Sequence, residues 1–274
     1  MTIGRFFSII YDYLVNRVRR IYIGTKPKNP NKLIIPQFVT IQKDSVRSID
    51  ILTSKLELRL IAHPVIISDV NTWDIAGRNL FEEFQSINIS PNKYIASSNK
   101  YLEVMKAVKT FSSKPRFWKQ NESVLGNQLY SIKHASIIIS VGGGMIVDFG
   151  KLMAKIMNIP FISIPTSLAN DGIASPFAVI DPSGYSDDDI HKSMQTFTPL
   201  GVVVNIKCIK HSSKGDSNEF LLNMVRSGIG DSLSNITACL DWQLAFENGK
   251  EQMNYMALHQ SSSAGETILA NIKA

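Results

Sequence analysis

Two stretches carry the residue types and spacings that could do chemistry. The first is Gly142-Gly143-Gly144, set between the apolar run Ile137-Ile138-Ile139-Ser140-Val141 and the segment Met145 to Met153, whose apolar residues recur at helical spacing. Residues without Cβ let backbone N–H groups come close to an anion. The N-terminus of a following helix adds unpaired donors and the positive end of its dipole. The chemistry that suits such a turn is the binding of a pyrophosphate. The spacing is not the usual G-x-G-x-x-G, and a glycine-rich turn without a ligand is the competing reading. The second stretch is Pro165-Thr166-Ser167-Leu168-Ala169-Asn170-Asp171-Gly172-Ile173-Ala174-Ser175-Pro176, in which hydroxyls gather around Asp171.

Two further acids stand out. Asp69 follows the apolar run Pro64 to Ser68 and precedes a helical pattern. It could accept hydrogen bonds from a ribose or cap the helix. Asp231, in Gly228-Ile229-Gly230-Asp231-Ser232-Leu233, reads by its own pattern as the N-cap of a helix. Cys208 and Cys239 give no disulfide framework and no zinc-ligand spacing. They fit two small core residues in a reducing, cytoplasmic setting.

The elements that must position these residues alternate. Ile137–Val141, Met145–Met153 and Pro160–Ile164 read as strand, helix and strand, a βαβ unit with the glycines at its first turn. Upstream, Leu33–Pro36, Phe38–Ile41, Pro64–Ser68 and Lys93–Ala96 read as strands. Ser45–Leu60, capped by Asp44 or Ser45, Thr72–Gln85 and Lys100–Phe111 read as helices. Downstream, Phe177–Ile180 and Pro199–Val204 are strand candidates, separated by a turn at Asp181-Pro182-Ser183-Gly184 and an exposed loop from Ser186 to Gln195. Beyond Lys210 only helices are expected, over Phe220–Asn235, Ile236–Phe246 and from Glu251 onward. The expected class is α/β, an N-terminal Rossmann-like parallel-sheet domain over residues 33–210 followed by an all-α C-terminal domain over 211–274.

A chain of 274 residues with 44% hydrophobic and 19% charged residues suits an ordinary soluble globular protein. Its net charge of +6 includes Arg17, Arg19, Arg20, Lys26, Lys28 and Lys32 in an N-terminal arm, residues 1–32. Such a surface suits a phosphorylated substrate or an anionic membrane face, or is simply solvated. No basic motif interleaved with aromatics points to nucleic acid. Phe6, Phe7, Ile9, Ile10, Tyr13, Leu14 and Val18 form an apolar face far short of a membrane span. No small-residue cleavage site marks a signal peptide. That face is expected to pack on the domain or on a second subunit of a homo-oligomer, with weak membrane-surface contact as the alternative.

These residues together resemble the glycerol-1-phosphate dehydrogenases, within the superfamily of iron-containing alcohol dehydrogenases, glycerol dehydrogenases and dehydroquinate synthases. The resemblance rests on Val65 through Trp73, Gly142 through Lys151, Pro165 through Pro176, and Gly228 through Asn235 with Asp241-Trp242. It implies that Gly143, Gly144, Met145, Ile146, Val147 and Asp148 belong to an NAD or NADP site. It implies that Thr166, Ser167, Leu168, Ala169 and Ser175 line that site from the second loop, and that Asp69 contacts the adenosine ribose. Asp171 would hold substrate hydroxyls, and Asp231 would ligate zinc beside the substrate. The implied reaction interconverts dihydroxyacetone phosphate and sn-glycerol 1-phosphate, a lipid precursor, with zinc as Lewis acid. The family's two histidine ligands come from a stretch like Gly-Ser-Glu-His and a later histidine. None of His63, His134, His191, His211 and His259 matches them, so a chain shortened at its C-terminus is expected. Met145 stands where the family has lysine and Asn205 where it has aspartate. A catalytically inactive nucleotide-binding relative is the alternative; the Asp-Gly-Ile-Ala-Ser-Pro loop argues against a dehydroquinate synthase-like lyase.

Overall fold

The computed structural model describes residues 35–42, 47–112, 135–170, 172–183, 193–212 and 218–272. The N-terminal arm, the helix cap expected at Asp44 or Ser45, Asp171, His134 and His191 lie outside these residues.

Six parallel strands form the main sheet: β1 (Phe38–Gln42), β2 (Pro64–Ser68), β3 (Asn92–Ile95), β4 (Ile137–Gly142), β5 (Phe161–Pro165) and β8 (Gly201–Asn205). Their order is β1-β8-β5-β4-β2-β3. The register sets Ile66 beside Ile139, Ser140 beside Ser163 and Val39 beside Val202. Strands β2, β4 and β5 are buried throughout, as strands covered by helices on both faces should be.

Alternation along each strand feeds two cores. Val65, Ile67 and Ile138 pack with Val104, Ala107, Ile146 and Leu152, from helices α4 (Tyr101–Phe111) and α5 (Gly144–Met157). Ile66, Ile137 and Ile139 pack on the opposite face with Ile49, Leu52, Leu80 and Phe84, from α1 (Ser48–Lys55) and α3 (Arg78–Ser86). Between β2 and α3 the chain runs through the short α2 (Val70–Thr72) and a wide π turn, Trp73–Gly77. Gly77 lets this turn lie on the sheet, because a Cβ there would meet Ser68 Oγ at 2.7 Å.

The strand order reverses between β2 and β4. The chain leaves β2 toward β3 on one side and leaves β4 toward β5 on the other. The carboxyl ends of these two strands therefore flank a crevice, the place where open α/β sheets bind ligands.

Four sequence expectations are corrected. Gln195 and its neighbours are not a loop: β7 (Ser193–Gln195) pairs antiparallel with β6 (Phe177–Val179) in a separate two-stranded ribbon. The helix expected from Ser45 to Leu60 is α1 followed by a short 3-10 turn, Leu58–Ile61. The two helices expected over 220–246 are one, α7 (Asn218–Glu247), of 30 residues. Gly228 and Gly230 each weaken a helix by about 1 kcal/mol relative to alanine, yet packing outweighs this. Met224, with Leu221 and Val225 beside it, joins Leu168, Val202 and Val204 in a third core. Asp231 thus lies inside a helix and is not its N-cap. The last helix, α8 (Tyr255–Ile272), runs back along α7, with Gly265 admitting the side chain of Ile236. Between β8 and α7 lies α6 (Ile206–Ser212). Among the described residues no helix is long and apolar enough to cross a membrane.

Candidate active site

The glycine turn forms as its residue types require. Strand β4 ends at Gly142, Gly143 is the N-cap of α5 with φ −75° and ψ −173°, and no side chain caps the helix. The amides of Ile146 and Val147 donate to the Gly143 carbonyl at 3.0 Å, so these two are spent within the turn. Their side chains are buried in the core, while Met145 is exposed. The space over Gly143 is open: a Cβ there would have Ser167 Cβ, at 3.8 Å, as its nearest neighbour. An uncapped N-terminus of a 14-residue helix beside an open glycine is a fit for a pyrophosphate.

Gly144 serves a different purpose. A Cβ there would run into the side-chain amide of Asn170. Asn170 comes from the second loop, and its Oδ1 accepts from the Gly172 amide at 2.5 Å. The two loops are joined again by Thr166, whose amide donates to the Gly142 carbonyl at 3.0 Å. Thr166 and Leu168 are buried, Ser167 is half-buried with its hydroxyl accepting from the Ala169 amide at 3.1 Å, and Ala169 is exposed.

Across the crevice, Asp69 follows β2. Its Oδ1 accepts from the Thr72 amide at 2.8 Å, and Thr72 Oγ1 accepts from the Asp69 amide at 3.1 Å, a capping box. The capping reading of Asp69 is therefore realised through Oδ1. Beyond β3, burial pushes the Glu103 carboxyl up, but hydrogen bonds from Ser98 and Ser97 outweigh it and hold the group below its ordinary value.

Asp148 and Ser175 meet in a network that includes Lys151, a residue not singled out as functional from the sequence. Lys151 is fully buried, and its Nζ donates to Asp148 Oδ1 at 3.1 Å, Gly172 O at 2.5 Å, Phe177 O at 2.7 Å and Ser175 Oγ at 3.3 Å. Asp148 Oδ2 accepts from the Val179 amide at 3.0 Å. Both oxygens of Asp148 thus have partners within the protein. The only signal in the sequence was the Asp-x-x-Lys spacing, which places the pair three residues apart on one helical face.

Asp231 is half-buried on α7, one turn beyond Gly228. A Cβ on Gly228 would strike the Leu168 carbonyl, so α7 lies directly on the second loop. His259, on α8, is exposed. Among the described residues no three His, Cys, Asp or Glu side chains come together as a metal centre.

The profile of the iron-containing alcohol dehydrogenases matches residues 40–212. The chain belongs to this family. It is 30% identical over 217 residues to a glycerol-1-phosphate dehydrogenase [NAD(P)+] of Methanococcus aeolicus, covering 79% of this chain and 49% of that protein. It is 26% identical over 244 residues to the Methanobrevibacter smithii protein of the same name, covering 89% and 60%. The chain thus spans about half the length of curated relatives it matches. Among solved structures, the glycerol dehydrogenase of Schizosaccharomyces pombe superposes with a TM-score of 0.56 at 20% identity, over 78% of this chain and 46% of that one. A sulfoacetaldehyde reductase from Bifidobacterium kashiwanohense, in complex with NAD+, gives 0.53 at 13% identity over 86% and 65%. At these identities the structures establish the α/β fold that the family shares.

Proposed function

We propose that this chain binds NAD or NADP across the switch point and belongs to an enzyme that reduces dihydroxyacetone phosphate to sn-glycerol 1-phosphate. The observation that carries the reading is the open, uncapped turn at Gly143 beside the crevice that Asp69 flanks. The Gly144 amide and its neighbours would take the pyrophosphate. The ribose contact would fall to Asp69 Oδ2, since Oδ1 holds the cap. Ser167, Ala169 and Ser175 would border the nicotinamide end from the second loop. The cofactor supplies the hydride, and the protein supplies its distance and angle to the ketone. Asp171 would hold substrate hydroxyls, and Asp231, one turn past the contact between α7 and the loop, would lie beside them. The relatives are named as NAD(P)+-dependent dehydrogenases of glycerol 1-phosphate, and oxidation of that alcohol at its secondary hydroxyl gives the phosphorylated ketone. The basic charge of the chain suits a phosphorylated substrate.

A second reading has its own observation. Without three converging ligand side chains among the described residues, the chain would bind nucleotide and not turn over. One experiment separates the two. The chain is supplied with zinc, NADPH binding is followed by fluorescence, and NADPH oxidation is followed with dihydroxyacetone phosphate. Binding with turnover supports the dehydrogenase. Binding without turnover leaves the nucleotide-binding relative, and the absence of binding refutes both.

A further inference from the structure

Lys151 is an ammonium with no route to solvent, since its side chain is 0% exposed. Burying such a charge costs several kcal/mol unless it is paired and hydrogen-bonded. An apolar residue would fill the same position on α5 without that cost. The geometry shows what the charge does instead. Of the four acceptors named around Nζ, one is the carboxylate of Asp148. The others are the Gly172 carbonyl, the Ser175 hydroxyl and the Phe177 carbonyl, all on the second loop or just after it. The ends of this segment have separate anchors. Asn170 holds the Gly172 amide, and Ala178 and Ile180 are buried in the core. Between them the backbone turns two carbonyls inward, toward α5, and Lys151 receives both.

We propose that Lys151 is a positioning residue, whose ammonium fixes residues 172–177 against α5 and so sets where Ser175 stands relative to the open turn at Gly143. This rests on the reading of that loop as one wall of the cofactor site. Lys151 touches neither cofactor nor substrate; it acts through the backbone it holds. The alternative is that Lys151 merely neutralises Asp148. The two differ in which bonds matter, the one to the carboxylate or the three to the loop.

Two variants separate them. Lys151→Met removes the ammonium and leaves the Asp148 carboxylate buried without its cation. The double variant Lys151→Met with Asp148→Asn removes both charges and keeps an acceptor for the Val179 amide. Three quantities are read: melting temperature, hydrogen exchange at the amides of Gly172, Ser175 and Thr196 against those of β4, and NADPH affinity by fluorescence. Thr196 is included because its amide donates to the Pro176 carbonyl. In the single variant the melting temperature falls and the loop amides exchange about 10- to 100-fold faster, as loss of a hydrogen bond to a charged donor implies. In the double variant the melting temperature recovers toward that of the parent while loop exchange stays fast; NADPH affinity is read in the single variant, where it weakens, because Asp148 is itself assigned to the cofactor site. Recovery of loop protection in the double variant overturns the proposal and leaves Lys151 as a counter-ion. Should the single variant fail to fold, the double variant carries the same decision. If the parent itself binds no NADPH, the cofactor reading fails, and hydrogen exchange still decides what Lys151 holds.

Discussion

Replacing Gly143 by alanine tests the cofactor site with little disturbance of the protein. Its backbone, at φ −75° and ψ −173°, is one that any residue adopts. The added methyl would meet Ser167 Cβ at 3.8 Å, an ordinary contact. The unfolded chain loses freedom, which stabilises by about 0.4–1 kcal/mol, and alanine is the poorer N-cap by a similar amount. The two nearly cancel, so the melting temperature should move by no more than about 2–4 °C for a chain of this size. A pyrophosphate drawn close to the turn, by contrast, would be pushed away from its amides. Loss of one hydrogen bond to a charged group is worth about 1.5–3 kcal/mol, or roughly 10- to 150-fold in Kd. The assay is an NADPH fluorescence titration run beside a thermal melt. Gly144→Ala is the control, because there the methyl collides with Asn170 and both readouts should fall. If the parent binds NADPH and Gly143→Ala binds it equally well, the pyrophosphate does not lie on this turn.

Other substitutions read other parts of the site. Asp69→Asn keeps an acceptor for the Thr72 amide, so its melting temperature should stay near the parent's while NADH binding weakens; Asp69→Ala should lose about 1 kcal/mol of stability as well, by chemical denaturation. Asp231→Ala, inside α7, should leave the fold and NADPH binding intact and abolish the oxidation of NADPH by dihydroxyacetone phosphate that the proposed function expects; equal turnover in variant and parent would remove Asp231 from the reaction. Glu103 has a lowered folded pKa, so its contribution is present above the ordinary glutamate range and lost as pH falls through the folded value. Between about pH 6 and 3 the parent should therefore lose more melting temperature than Glu103→Gln does. Burial pushes the Cys208 thiol up to about 11, so at pH 8 the folded chain should be alkylated there far more slowly than the unfolded chain, by mass spectrometry.

Much of this protein is written in local patterns. Consecutive apolar residues at Ile66 and its neighbours, or at Ile137–Ile139, demand burial on both faces, and a parallel sheet covered by helices provides it. The three glycines had to be a turn, and Met145–Met153 had to be a helix, because side-chain period and the missing Cβ are properties of the chain itself. Local pattern alone therefore puts the motif residues at Gly142–Lys151 and Pro165–Pro176 at the ends of strands.

What the sequence left open is what depends on contacts between distant segments. Whether Asp69 caps a helix is decided by Thr72 taking both ends of a reciprocal pair. That the glycine at 228 lies within a helix follows from Leu168, whose carbonyl leaves room for no Cβ there. The strand at Ser193–Gln195 exists because β6 offers it an edge. Lys151 was an ordinary helical lysine by its neighbours in sequence, and became the centre of the second loop only when residues 21 to 26 positions further along folded over it. Short-range periodicity fixes which face of an element is apolar; what a polar group on that face will touch is fixed by packing alone.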